Sequence, residues 1–363
     1  MATSYGSRLD QGVTLPFSWF ADPEIFRLEQ ERIFAHTWQY GGVADWVAEP
    51  GQYFTCHAGL VPIVVVRDHE GVLNGFVNIC RHRATEVAQG RGRRETLQCP
   101  YHAWTYDLDG SLRAAPRSER EPAFDRSCFG LRRVAVDNWG PFVFVNRDLD
   151  APPLAEFLGG LPGIIEGAGI DFSRLRFRER SDWEMRANWK AIVENYLECY
   201  HCPTAHPGFS KLIDVDPDAY KLTSDRWFSS QIGPVRRDVL AGGGSAPYRP
   251  AAVGAGEAHF HYLWPTFTIN RLPGKANLSV FAFRPIDADH TATVTDHFYG
   301  DDVTEDEAGE MMAFASQVGM EDLALVESIQ RAARSGGLAE GQLLLSGEHL
   351  IQHFQRLVEQ ALA

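Results

Sequence analysis

Between residues 52 and 150 the chain alternates or runs apolar in short stretches. YFTC, LVPIVVVRD and VLNGFVNIC are rich in β-branched residues and read as strands. DHEG, 68 to 71, is a turn between two of them, and Asp109-Gly110 in WTYDLDGSLR is a hairpin signal. PFVFVNRD closes the region. The pattern changes after LDAPPLAEFLGGLPG, 149 to 163, whose prolines and glycines read as a domain connection. A helix is expected from about 187 to 200, with Trp189, Ile192, Val193 and Tyr196 at helical spacing. Residues 241 to 247, AGGGSAP, read as a loop, and 259 to 300 as antiparallel strands. Thr304 with Glu307 forms a capping-box pattern that opens a helix, and a second helix is expected over roughly 320 to 334. An amphipathic helix from Ser346 ends the pattern, with Leu350, Ile351, Phe354, Leu357 and Val358 on one stripe.

Length and composition narrow the class. The 363 residues suggest two domains, and 44% hydrophobic against 23% charged residues is ordinary globular material. A net charge of −14 opposes a nucleic-acid partner, whose phosphates would be repelled on average. No signal peptide and no apolar run of membrane length is recognised, so no membrane association is expected. Six cysteines are too sparse for a disulfide scaffold, and a cytoplasmic location is the simplest expectation.

The chemistry starts with CRHRATEVAQGRGRRETLQCPYHAW, 80 to 104. Its arms are Cys80-x-His82 and Cys99-x-x-His102. Zinc fingers pair like ligands, cysteine with cysteine and histidine with histidine. Arms that each offer one of both suit a [2Fe–2S] cluster with the cysteines on one iron and the histidines on the other. The segment strongly resembles the Rieske motif of ring-hydroxylating-type oxygenases. Ala84 stands where that family often has glycine. Rieske proteins of the cytochrome complexes carry an extra cysteine in each arm. Here Tyr101 and Thr85 occupy such places, which implies a potential near about −150 mV and electrons from a reductase rather than a quinol. Arg81, Arg83, Arg91, Arg93 and Arg94 are either solvated loop charges or a docking patch for an acidic redox partner.

A second centre is expected in NWKAIVENYLECYHCPTAHP, 188 to 207. His201 lies at a helix end and His206 in the proline turn beyond it, so both imidazoles can converge. In GMEDLALVESIQRAA, Asp322 shares a helical stripe with Leu325, Val326 and Ile329, which puts a carboxylate on an apolar face. Glu321 falls off that stripe and is expected in solvent. His201, His206 and Asp322 then form a 2-His-1-carboxylate facial triad for Fe(II). Cys199 and Cys202 could join the histidines in a zinc site, but neighbouring ligands at a helix end point apart. They are expected as buried packing residues.

With both sites in view the whole chain resembles the α-subunit of a Rieske non-haem iron oxygenase. The resemblance implies an α+β fold. Residues 1–40 form an N-terminal segment packing on the catalytic domain, 41–150 a β-rich Rieske domain, and 151–363 a helix-grip catalytic domain holding mononuclear iron. It also implies a homotrimer in which one subunit's cluster serves its neighbour's iron, with Glu198 as the acidic bridge and Glu194 the competing candidate. The NYLECYHCPTAHP wording resembles the choline, glycine-betaine and carnitine branch. A small quaternary or tertiary amine is therefore expected as the substrate beside O₂. Phe260, Tyr262 and Trp264, alternating on one strand, supply rings for cation–π contact. Hydroxylation of an aromatic ring, or electron transfer without oxygenation, are the alternatives. No GxGxxG signature is found, so NAD(P)H is assigned to a separate flavin and iron–sulfur reductase, possibly with a ferredoxin.

Overall fold

The structure, a computed structural model, describes residues 5–243, 245–248, 250 and 256–363. Gly244, within the loop expected at 241 to 247, lies outside them. The chain divides into two compact units: Gln30–Phe157, and Leu158–Ala363 together with the N-terminal residues up to Glu29.

The Gln30–Phe157 unit is all antiparallel. Its seven-stranded sheet runs, in spatial order, Gln39–Val43, Phe142–Asn146, Arg133–Trp139, Leu73–Val77, Val61–Arg67, Gln52–Ala58 and Arg91–Arg93. A three-stranded sheet of Leu97–Gln98, Thr105–Tyr106 and Leu112–Ala114 lies beside it in the fold. The β-branched runs fill the core, where Val64, Val66 and Phe76 pack with Leu97 and Tyr106. The Asp109-Gly110 hairpin forms as expected. Gly110 has φ +87°, and any side chain there would run into the ring of Phe76.

In the second unit one antiparallel sheet carries everything else. Its order is Leu175–Met185, Thr291–Gly300, Asn277–Pro285, Phe267–Arg271, Glu257–Leu263, Phe228–Pro234 and Lys221–Asp225. The helices Trp189–Tyr196, Glu305–Ser335 and Leu345–Leu362 belong to the same unit. Lys190 and Glu29 form an ion pair removed from solvent, and Glu29 also accepts from Trp189 Nε1 at 2.8 Å. That pairing fixes the N-terminal segment to the Trp189 helix, since either charge left alone there would be costly.

Two helices differ from expectation. The capping box at Thr304 and Glu307 opens one continuous helix, Glu305–Ser335, in place of two. Gly309 and Gly319 lower its propensity without supplying a stop, and it ends only at Gly336, in the left-handed conformation. The other helix starts where Asn188 accepts from Lys190 N, but closes at Tyr196 rather than near 200. The carboxylate of Glu198 takes the backbone N–H groups of Tyr200 and His201, and these bonds turn the chain out of the helix.

Candidate metal centres

The cluster loops are two copies of one turn. Cys80 N–H donates to Thr85 O and Ala84 N–H to Cys80 O, at 2.8 and 3.1 Å; Cys99 N–H donates to Trp104 O and Ala103 N–H to Cys99 O, at the same distances. Ala84 and Ala103 hold φ values of +58° and +57° at matching places. The left-handed conformation explains why glycine is the easy choice at 84. Cys80 and Cys99 are buried, whereas His82 and His102 are exposed with ring centroids 4.6 Å apart. His82 stacks on Trp104 at 5.0 Å, and Tyr106 Oη lies 3.3 Å from Cys80 Sγ and accepts from Arg81 N–H. Burial pushes the Cys80 thiol up, a cost that a cationic group bound between the loops would remove.

Thiols inside and imidazoles outside, on twin loops, suit the split ligation of a Rieske cluster. A single zinc would need its ligand atoms drawn to one point. Among the described residues, the one group of three or more metal-binding side chains converging that tightly lies elsewhere. The arginines around the loops are held on rings: Arg83 over Tyr101, Arg91 over Trp46 and Arg94 over Tyr53, at 5.4, 4.8 and 5.3 Å.

That other group is His201, His206 and Asp322, whose ligand atoms all lie within 4.8 Å of one another. The two Nε2 atoms are 3.0 Å apart, and Asp322 Oδ1 is 2.9 Å from His206 Nε2 and 3.5 Å from His201 Nε2. Each ligand is held from behind. His201 Nδ1 is bonded to Glu198, His206 Nδ1 to Glu321 at 2.8 Å, and Asp322 accepts from Asn195 Nδ2 at 3.1 Å. A carboxylate on each Nδ1 keeps its proton there and turns the Nε2 lone pair inward, the arrangement a divalent metal needs. Burial works against a charged His201, but Asp322 and Glu198 outweigh it and raise the ring to about 9. Burial likewise pushes Asp322 up, and its bonds to the two histidines bring it below the usual carboxylate range. A cation between them would replace that shared proton.

Four expectations need correction. Glu321 is not free in solvent: it holds His206, and Gln317 Nε2 donates to its other oxygen at 3.0 Å. The stripe behind Asp322 is also different, since Leu325 and Ile329 are 39% and 40% exposed while Val326 faces inward. Cys199 and Cys202 do pack into a hydrophobic cluster, Cys202 buried and Cys199 half-buried, but they are joined in a disulfide with Cα atoms 5.0 Å apart. Of the three alternating rings only Phe260 borders the metal site; Tyr262 and Trp264 are core residues against Phe354 of the last helix. Glu194, for its part, is half-buried and accepts from Gln355 Nε2 at 2.8 Å, and loss of water around it raises its carboxyl to about 7.

Two cavities meet at the triad. One of 150 Å³ contains Glu198, His201, His206 and Asp322, with Phe260 on its wall. The other, of 290 Å³, is walled by Trp183, Phe281 and Phe283 and shares Asn195, Tyr196, Phe281 and Asp322 with the first. Periodicity did not point to Trp183, because its strand is half-exposed and mostly charged.

Residues 36–133 match the family model "Rieske [2Fe-2S] domain", and 172–363 match "Ring hydroxylating alpha subunit (catalytic domain)". The chain is 32% identical over 360 residues to the carnitine monooxygenase oxygenase subunit of Acinetobacter baumannii, covering 97% of this chain and 95% of that protein. It is 32% identical to the chloroplastic choline monooxygenase of Spinacia oleracea, over 96% of this chain and 78% of that one. A solved structure of the quaternary ammonium Rieske monooxygenase CntA with L-carnitine superposes with a TM-score of 0.85, at 30% identity, covering 99% and 98% of the two chains. Naphthalene 1,2-dioxygenase from Rhodococcus, at 19% identity, shares the fold.

Proposed function

Since the chain belongs to the Rieske, ring-hydroxylating α-subunit family of non-haem iron oxygenases, we propose that it hydroxylates a small quaternary or tertiary amine on a carbon next to nitrogen. An N-methyl carbinolamine formed this way would release formaldehyde. The observation that carries the reading is the aromatic cavity bordered by Asp322 and Asn195 and lined by Trp183, Phe281 and Phe283, residues whose rings attract a cation. The carnitine and choline monooxygenases among its relatives support it.

Cys80, His82, Cys99 and His102 are assigned to the [2Fe–2S] cluster, and His201, His206 and Asp322 to mononuclear Fe(II). When bound, the cluster supplies electrons and the iron activates O₂. The polypeptide's part is positioning. Glu321 and Glu198 fix the tautomers of His206 and His201, and Asn195 aims Asp322. Phe260 and Phe281 give the cavity at the triad apolar walls.

The same reading takes 41–150 as the cluster domain, 151–363 as the catalytic domain, and 1–40 as a segment of the latter. It also takes a homotrimer as the working form, with Glu198 the link from His201 towards a neighbour's cluster domain. The electron donor is a flavin and iron–sulfur reductase; the ring-held arginines around the cluster loops favour an acidic surface on it. A cytoplasmic setting completes the picture; no described helix is long and apolar enough to cross a membrane.

The test is reductase-coupled O₂ uptake, NADH use and formaldehyde release with trimethylammonium compounds, set beside benzoates and phthalates. Coupled turnover of an ammonium compound is expected. Coupled hydroxylation of an aromatic acid with no turnover of any amine would overturn the amine reading and leave an oxygenase of arenes.

A further inference from the structure

On the far face of the catalytic sheet one buried charge stands without a partner. Asn270 and Leu272 line the cavity at the triad, so Arg271 between them points to the opposite face. Arg271 is 9% exposed. Its Nη1 donates to Ala168 O across a long 3.4 Å, the one hydrogen bond its guanidinium makes. Nε and Nη2 have no partner, yet neither atom is sealed from solvent. Glu257, the carboxylate whose charge Arg271 feels, lies 3.8 Å from His259 Nε2 instead and forms no ion pair with it. Arginines this buried are almost always paired, because a charge taken out of water needs a countercharge. Arg180 of the same sheet shows the ordinary arrangement: its Nε and Nη2 donate to the two oxygens of buried Asp296 at 2.7 and 2.6 Å.

The open side of Arg271 is a cavity of 250 Å³, separate from the two at the triad. The bond to Ala168 puts the guanidinium against the loop whose next residues, 169 to 171, form part of the cavity wall. Two more cations line it. Lys275 is spent, paired with Glu307 at 2.8 Å and donating to Asp302 O at 2.9 Å. Arg174 is exposed and makes no ion pair, though its charge reaches Asp171. The acids of the lining, Asp171 and Asp302, oppose an anion only from the rim. Both are exposed, and Asp171 is turned to Ser173, whose N–H and Oγ donate to it at 2.9 and 2.7 Å. Clefts for drug-sized ligands start at about 300 Å³, so the occupant is small.

We propose that this cavity is a second binding site, independent of the amine reading, and that it takes a small oxyanion, a carboxylate or a phosphate. Nε and Nη2 of Arg271 present the parallel pair of donors that such a group accepts with two oxygens, the pairing Arg180 makes inside the fold. Arg174 adds attraction at the mouth. The bound anion is the countercharge that Arg271 lacks, so the anion-free protein carries an uncompensated charge on its sheet.

The experiment titrates inorganic phosphate and, separately, acetate into the cluster- and iron-loaded protein at constant ionic strength, with chloride as the control. Binding is read by calorimetry, and stability by the melting temperature. An anion at ten times its Kd should raise the melting temperature by about 4 °C over chloride. Arg271→Met should weaken binding by about a hundredfold and lose that rise, yet melt no lower than the parent in chloride, because it removes an unpaired charge. Arg271→Lys keeps the charge without the fork and should bind about tenfold more weakly, which tests the site even if the methionine variant fails to fold. Arg174→Ala should cost about threefold, and Asp302→Asn should gain about as much, the modest effects of exposed charges. Phosphate binding alone assigns the free ion; acetate matching or exceeding it assigns the carboxylate of a small organic acid. No binding of either anion leaves a hydrated arginine and overturns the proposal. So does binding that persists unchanged in Arg271→Met or Arg271→Lys, which would place the anion at the triad iron or elsewhere.

Discussion

The two metal centres are built in opposite ways. The residues assigned to the cluster come from one stretch of 25 residues, Cys80 to Trp104, folded into twin turns whose hydrogen bonds close within each loop. The triad draws Asp322 from a helix more than 100 residues beyond His206, and each of its ligands depends on a second side chain: Glu198, Glu321 or Asn195. A local site is set by backbone conformation. An assembled site is set by side-chain hydrogen bonds between elements, so loss of one supporting bond should weaken its metal by degrees, whereas loss of a ligand at either site removes the metal outright.

The largest effect is expected at the local site. Cys80→Ser or His102→Ala should abolish the Rieske visible and EPR spectrum while far-UV circular dichroism and triad iron persist. An unchanged spectrum in both variants would end the cluster assignment.

The next effect separates the face of the Trp189–Tyr196 helix that serves the triad from the face that does not. Glu194 is half-buried and bonded to Gln355 of the last helix, with its carboxyl raised to about 7 from an ordinary 4.5. Folding favours its protonated form, so its contribution is present below about pH 4.5 and is lost as pH rises through 7. Glu194→Gln should therefore gain stability over the parent between pH 5 and pH 8, by about 3 kcal/mol at most. Denaturant titration at both pH values checks this; a constant difference would show that Glu194 is ionised in the fold throughout. Its place also explains why helical spacing could not choose between Glu194 and Glu198. They sit four residues apart, but the helix ends between them and only Glu198 turns to His201.

What the sequence disclosed follows the same division. Cys80, His82, Cys99 and His102 could be assigned from the sequence because spacing carries the whole signal when candidate ligands share one loop pair, and the structure places all four on the twin turns. His201 and His206 were legible for the same reason. Asp322 was found by a stripe that proved half wrong, since Leu325 and Ile329 face solvent and the inward residues are Gly319, Val326 and Gln330. Glu321 and Asn195 stayed hidden because their partners are distant in the chain, and no local period marks a hydrogen bond made across the fold. The rings were misplaced by a related error. Strand alternation gives the face of Tyr262 and Trp264, but how far the last helix covers that face is a tertiary fact.

A smaller effect tests the hydrogen bonds behind the triad. Glu321→Gln should weaken Fe(II) binding about tenfold to a hundredfold, read by metal titration, with the cluster spectrum unchanged. Unaltered affinity would show that His206 needs no carboxylate charge on Nδ1. The smallest concerns the twin turns. Ala84→Gly and Ala103→Gly should each stabilise the fold by up to about 1 kcal/mol, because both alanines hold positive φ. A gain at one position and a loss at the other would mean that the two loops are not energetic equivalents.

The most direct test of the central claim, two independent iron centres in one chain, is the metal content of Asp322→Ala. The parent protein should carry about three irons per chain, two in the cluster and one at the triad. The variant should carry about two, with the Rieske EPR signal intact, a cluster that still reduces, and no hydroxylated product. Two histidines alone hold labile divalent iron weakly, which is why the loss should be complete. An Asp322→Ala protein that kept its third iron and turned over normally would contradict the account.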